Sequence, residues 1–142
     1  MFDYVIDTNI IMSMLISGKS HYKAILSVYN FHLPEYSLIE LDEHKDVIIG
    51  KTRFNEHELQ EFVYYVFKSI SVIPNIALAK QSIKTANELC SNIDIDDVSF
   101  VALSCDMDIP LLTRDDILHN GLRKKGFKNV IMFDDFLRTI CQ

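Results

Sequence analysis

Tyr4-Val5-Ile6-Asp7-Thr8-Asn9-Ile10-Ile11 is the stretch that decides the fold. Tyr4, Val5 and Ile6 are β-formers in an unbroken apolar run, the pattern of a strand covered on both faces. The run stops at a carboxylate, a hydroxyl and an amide, all helix-capping types, and apolar residues resume at once as Ile10, Ile11, Met12, Met14, Leu15 and Ile16. A buried parallel strand therefore feeds directly into a helix. In open α/β sheets ligands bind at such junctions, beyond the carboxyl ends of the strands. Asp7 stands there either as a site residue or as the cap of the helix.

Outward from this junction, strands and helices alternate. Ser20 opens a helix reaching Asn30, and Phe31-His32-Leu33-Pro34 reads as a second strand ended by proline. Ser37 begins a helix running to about Ile49 and closed by Gly50. Asn55 caps the next, with Leu59, Phe62, Val63, Val66 and Phe67 at helical spacing. A third strand is expected at Ser71–Pro74, followed by a helix capped by Asn75 and reaching Cys90. Another helix starts within Asp94–Asp97. Leu111-Leu112-Thr113 is the fourth strand, and Asp115 or Asp116 starts a helix ending at Arg123-Lys124-Lys125-Gly126. Asn129–Met132 is the fifth strand, and the last helix spans Asp134 to Ile140. Short strands joined by helices predict right-handed parallel crossovers in a three-layer α/β/α sandwich with a mostly parallel sheet of about five strands.

Composition fits this picture. One domain over residues 1–142 suits 142 residues of which 49% are hydrophobic. The opening strand carries Asp3 where a secretory signal has basic residues, and no apolar run is long enough to span a bilayer. Cys90, Cys105 and Cys141, an odd and widely spaced set, read as free thiols of a reducing cytoplasm. With 14 basic against 20 acidic residues the net charge is −6, the wrong sign for binding nucleic acid by charge alone.

Four acids recur at strand ends or helix starts: Asp7, Glu40, Asp97 and Asp115. Each has a structural alternative. Ser37-Leu38-Ile39-Glu40 matches a capping box, and Asp94-x-x-Asp97 and Thr113-x-x-Asp116 are weaker versions of it. As a set they are harder to assign to capping, because parallel strands bring all four to one edge of one sheet. Two carboxylates about 4 Å apart repel by about 4 kcal/mol at an effective dielectric near 20. A cation between them offsets that cost. Hard oxygen donors with few histidines nearby select Mg²⁺ or Mn²⁺ over zinc, and an ion so held activates water for attack on a phosphodiester.

These segments also resemble a family. Val5-Ile6-Asp7-Thr8-Asn9, Ser37-Leu38-Ile39-Glu40-Leu41, Asp94-Ile95-Asp96-Asp97 leading into Phe100-Val101-Ala102-Leu103, and Leu111-Leu112-Thr113-Arg114-Asp115 are similar, in order and spacing, to the signatures of PIN domains. The resemblance implies a PIN-like sandwich and a metal-dependent ribonuclease, often a homodimer. VapC-type toxins, paired with an antitoxin protein, belong to that group. It assigns Asp7, Glu40, Asp97 and Asp115 to the family's acidic quartet and Thr8 or Asn9 and Thr113 to its polar supports. Asp96 can exchange roles with Asp97, and Asp116 with Asp115; Glu43, one turn beyond Glu40, is a lesser candidate. Ser104 stands where the family usually has alanine, a departure that bears on packing.

An acidic site repels RNA, so cations must hold the backbone beside it. Lys19, Lys23, Lys45, Lys51, Arg53 and Arg114 are the candidates; Arg114, between Thr113 and Asp115, either contacts RNA or pairs with a neighbouring acid. Arg123, Lys124 and Lys125 read as a solvated helix end. His44 shares a helical face with Glu40 and reads as a solvated or hydrogen-bonded side chain rather than a ligand. Met12, Met14 and Leu15 are core or a partner surface. The expected function is that of a cytoplasmic, Mg²⁺/Mn²⁺-dependent endoribonuclease, as the toxin of a toxin–antitoxin pair or in RNA processing. A phosphoacceptor signalling domain needs adjacent acids after the first strand and a lysine ending a late strand, and the sequence has neither. An inert capped scaffold that only binds partners is the remaining alternative.

Overall fold

Asp3–Ile6 (β1), Asn30–Pro34 (β2), Ile70–Ile73 (β3), Leu111–Thr113 (β4) and Val130–Met132 (β5) form one five-stranded sheet in the order β3-β2-β1-β4-β5, and every neighbouring pair is parallel. A computed structural model describes residues 2–140, apart from the Ile95 side chain, so Cys141 lies outside the described residues. The elements are β1 (Asp3–Ile6), α1 (Thr8–Ser17), α2 (His21–Val28), β2 (Asn30–Pro34), α3 (Tyr36–Glu43), α4 (Lys45–Lys51), α5 (Glu56–Ser69), β3 (Ile70–Ile73), α6 (Lys80–Cys90), α7 (Val98–Met107), β4 (Leu111–Thr113), α8 (Asp116–Lys124), β5 (Val130–Met132) and α9 (Phe133–Ile140). Short 3-10 turns cover Asn75–Ala77 and Ile95–Asp97. Among the described residues no helix is long and apolar enough to cross a membrane.

Val5, Ile6, Leu111 and Leu112 are each fully buried, consecutive residues pointing to opposite faces, so helices cover the sheet on both sides. α1 packs on α3, α4 and α5, and α2 on α5; α7 packs on α6 and lies against β1, β2 and β4. Phe136 of α9 meets Tyr4, Tyr29 and Phe31 edge-on. The order places β1 and β4 side by side, with Ile6 opposite Leu112. From β1 the chain moves outward to β2 and β3, then crosses back to β4 and β5. The gap beyond the carboxyl ends of β1 and β4 is thus the topological switch point, where this architecture opens a crevice.

Three expected helices differ from the sequence reading. The helix expected over 37–49 is split into α3 and α4 at His44 (φ −104°, ψ 10°), whose Nδ1 lies 2.8 Å from the Glu40 carbonyl oxygen, and Gly50 lies inside α4. A side chain that bonds the preceding turn competes with the helical ladder. α2 stops at Val28, because Asn30 already pairs with Asp3 in the sheet. α6 starts at Lys80 rather than after Asn75. The Asn75 N–H donates to Glu35 Oε1 at 2.6 Å, and the cap of α6 comes from another element: Asp106 Oδ1 accepts from the Ala79 N–H and the Ser82 hydroxyl, each at 3.0 Å. Asn55 does cap α5, in a full capping box with Glu58. Ser104 is buried and donates to the Ile109 carbonyl at 2.6 Å, tying the end of α7 to the turn that feeds β4. Cys90 and Cys105 are free thiols.

Candidate active site

Asp7 leaves β1 at the switch point and is buried, with both oxygens engaged. Oδ1 accepts from the Ile10 N–H at 3.2 Å, capping α1, and Oδ2 accepts from the Thr113 hydroxyl at 2.5 Å. Thr113, the last residue of β4, is fully buried, and its oxygen also accepts the Asp115 N–H at 3.0 Å. One hydroxyl thus locks the ends of both central strands together. Asp115 caps α8 through Oδ1, which accepts from the Ile117 and Leu118 N–H groups at 2.9 and 3.1 Å. Thr113→Val removes the donor to a buried carboxylate and the acceptor for Asp115 while keeping the shape. It is expected to cost about 2–4 kcal/mol, read from the urea midpoint, and Thr113→Ser is expected to restore most of it.

The other two acids arrive from outside the sheet and do not cap. Glu40 lies on α3 and its Oε1 accepts from the Thr8 hydroxyl at 2.6 Å. The capping box expected with Ser37 is absent: α3 begins at Tyr36, Ser37 sits inside it, and the buried Ser37 hydroxyl has no partner. Asp97 precedes α7 and makes no capping hydrogen bond; its Oδ2 is buried without a partner. Burial, followed by the nearby charges of Asp94, Asp115, Asp7 and Glu40, pushes the Asp97 carboxyl up to about 7. Burial also raises Asp7, against the opposing bond from Thr113, and raises Glu40, against the bond from Thr8. Capping therefore accounts for Asp7 and Asp115 in part, and for Glu40 and Asp97 not at all.

Asp7, Thr8, Asn9, Glu40, Asp97, Phe100 and Asp115 line one cavity of about 30 Å³, large enough for a species the size of a water molecule. Phe100 forms its apolar wall, a role that its place in an apolar helix run does not signal. Asp96 and Asp116 are exposed and take no part in the lining, and neither does exposed Glu43. Among the described residues no three His, Cys, Asp or Glu side chains are gathered tightly enough to hold a metal ion as they stand. Asp7, Glu40 and Asp115 are drawn instead each to its own donor, and the buried Asp97 Oδ2 has none. The donor set itself, four carboxylates with one buried oxygen left unpartnered, has the hard oxygen chemistry that a divalent cation takes.

The cations lie apart. Lys19 and Arg53 stand near the far end of α1, where the Arg53 N–H bonds the Ile16 carbonyl; ten helical residues put that end about 15 Å from Thr8. Lys23 lies 5.3 Å from the centre of the Tyr65 ring, exposed Lys51 ends α4, and Lys45 borders an apolar groove. Arg114 is exposed beside the cavity and does not pair with an acid among the described residues; its guanidinium lies over the Phe133 ring, 5.2 Å from the centroid.

A model of the PIN domain family matches residues 5–133, a span that holds all four cavity acids. The chain belongs to the PIN domain family. PIN domains are nucleases and generally use divalent metal ions, so membership supports hydrolysis of nucleic acid. No curated protein matches the sequence. Among solved structures, PAE2754 from Pyrobaculum aerophilum superposes with a TM-score of 0.66 at 18% identity, over 99% of this chain and 90% of that one. A chain of a toxin–antitoxin complex from Klebsiella pneumoniae gives 0.60 at 15% identity, over 90% and 95%. A chain of VapBC2 from Rickettsia felis, bound to a DNA fragment from its promoter, gives 0.58 at 14% identity, over 92% and 96%. At these identities the likeness carries the PIN fold: a parallel five-stranded sheet flanked by helices.

Proposed function

We propose that this PIN domain is a Mg²⁺- or Mn²⁺-dependent endoribonuclease of VapC type, the toxin of a toxin–antitoxin pair. The observation that carries the nuclease reading is the cavity at the switch point, where four carboxylates converge and one buried oxygen of Asp97 lacks a donor. Asp7, Glu40, Asp97 and Asp115 would hold the ion. When bound, it lets these carboxylates stay ionised side by side and lowers the pKa of a water for attack on phosphorus. The remaining residues orient the acids. Thr113 fixes Asp7 and the backbone of Asp115, Thr8 fixes Glu40, and Phe100 keeps one wall of the cavity dry.

The partner half of the reading is supported by similarity to toxin–antitoxin chains and by an apolar groove of about 340 Å³ among α1, α3, α4 and α5, bordered by exposed Leu38 and Ile49. Exposed apolar surface of this kind marks protein contacts.

The test is RNA cleavage with and without Mn²⁺. Asp115→Asn keeps a capping oxygen and Glu40→Gln keeps an acceptor for Thr8, so both variants are expected to fold with nearly unchanged melting temperature and to lose at least a hundredfold in rate. Unchanged cleavage in both would remove the reading.

A further inference from the structure

A polyanion cut at an acidic cavity has to be gripped elsewhere, and the surface of α8 offers the grip. Between Asp116 and Asp134 the sequence has no acid and carries four of its fourteen Lys and Arg: Arg123, Lys124, Lys125 and Lys128. Lys125 is committed to the end of α6, where its Nζ donates to the carbonyls of Glu88 and Leu89 at 3.3 and 2.8 Å. Arg123, Lys124 and Lys128 are exposed, and among the described residues none pairs with a carboxylate. His119, Asn120, Arg123 and Lys124 line an open concavity of about 500 Å³. The same helix is capped by Asp115, a cavity acid, and beside it Arg114 is exposed over the Phe133 ring and makes no ion pair among the described residues.

Ile117 lies between these ends and is 75% exposed. With Asn120 and Lys124 it forms one outward stripe at helical spacing. From Asp115 to Lys124 the helix rises about 14 Å, the length of about four stacked nucleotides at 3.4 Å each. Favourable placement at a helix C-terminus would explain Arg123 and Lys124, but that effect is confined to the last turn. It does not explain an isoleucine exposed near the other end.

We propose that the outer face of α8 is a track for single-stranded RNA, with Arg114 holding the phosphate backbone beside the acid cavity, Ile117 packing a base, and Arg123 and Lys124 holding phosphates further along. The track rests on the nuclease reading, since it leads from the site assigned there, but its test does not read cleavage. Binding of a fluorescent single-stranded RNA to the Asp97→Asn chain is followed by anisotropy across a salt series. Adding Arg123→Gln and Lys124→Gln is expected to weaken binding about tenfold at 0.1 M salt and to make the slope of log K against log salt shallower by about 1.4, two phosphates at about 0.7 each. Lys80→Gln with Lys84→Gln, an equal charge change at exposed sites on α6, is expected to leave both unchanged. An unaltered slope in the α8 variant, equal loss in the α6 variant, or no RNA binding by the parent chain would overturn the track. Failure of Mn²⁺-dependent cleavage by the unmodified protein, with binding still dependent on α8, would overturn the nuclease reading and leave the track standing.

Discussion

Asp97→Asn is expected to raise the melting temperature at pH 8 by about 6 °C while abolishing Mn²⁺-dependent RNA cleavage. The gain comes from removing a charge that the fold disfavours. The Asp97 carboxyl sits at about 7 in the folded chain, above its ordinary 3.8, because it is partly buried, close to other acids and lacks a donor at Oδ2. The folded state therefore holds this proton more tightly than the unfolded state does. The resulting stability is complete below about pH 4 and is withdrawn as pH rises through 7, so at pH 8 the ionised group is at its most unfavourable. Allowing for solvent screening at a partly exposed site, the cost is about 2 kcal/mol, or roughly 3 °C per kcal/mol for a chain of this size. Asparagine stays neutral, and its amide supplies donors in place of charge. Melting without divalent ions should show the wild type losing stability between pH 5 and pH 8 and the variant losing less, since Glu40 and Asp7 are shifted in the same direction and remain. A variant less stable than the wild type at pH 8 would mean that Asp97 is a structural anchor.

The second large effect is stabilisation by the metal. A ligand bound only by the folded state stabilises by about 2.7 kcal/mol at a hundred times its dissociation constant, so saturating Mn²⁺ is expected to raise the wild-type melting temperature by about 8 °C at pH 7.5. Asp97→Asn and Asp7→Asn are expected to lose most of that rise. Ca²⁺ at the same ionic strength serves as a control for general screening, because it takes six to eight oxygen ligands at longer distances than the octahedral Mg²⁺. An equal rise in both variants would place the bound ion on exposed acids instead.

The sequence reveals the parts of this fold that depend on neighbours along the chain. β1 is legible because its apolar run stops at one carboxylate, and the start of α8 because caps followed by an apolar stripe mark a helix, although the choice between Asp115 and Asp116 as the cap comes from the structure. What is not legible comes from contacts distant in sequence. The Thr8–Glu40 bond spans 32 residues and the Thr113–Asp7 bond 106, so no local pattern distinguishes Glu40 in a capping box from Glu40 held by a hydroxyl on another helix. The start of α6 is misplaced by local rules for the same reason, since Asp106 caps it from α7. The choice of Asp97 over Asp96 illustrates the difference. Both fit the motif, but only the turn at Ile95–Asp97 decides which carboxylate is partly buried at the cavity and which stays exposed. Arg114 is a further case: neighbouring acids suggest an ion pair, yet the Phe133 ring, supplied by the start of α9, takes the guanidinium.

The proposed nuclease activity requires that the carboxylates at the ends of β1 and β4 and on the flanking helices share a divalent ion. Anomalous diffraction from crystals soaked in Mn²⁺ tests it most directly. The expected result is a peak inside the cavity, with carboxylate oxygens of Asp7 and Asp97 at about 2.2 Å and those of Glu40 or Asp115 completing the set directly or through water. A map at millimolar Mn²⁺ with no peak between these residues, or with ions only on exposed acids such as Asp94 and Asp96, would contradict it.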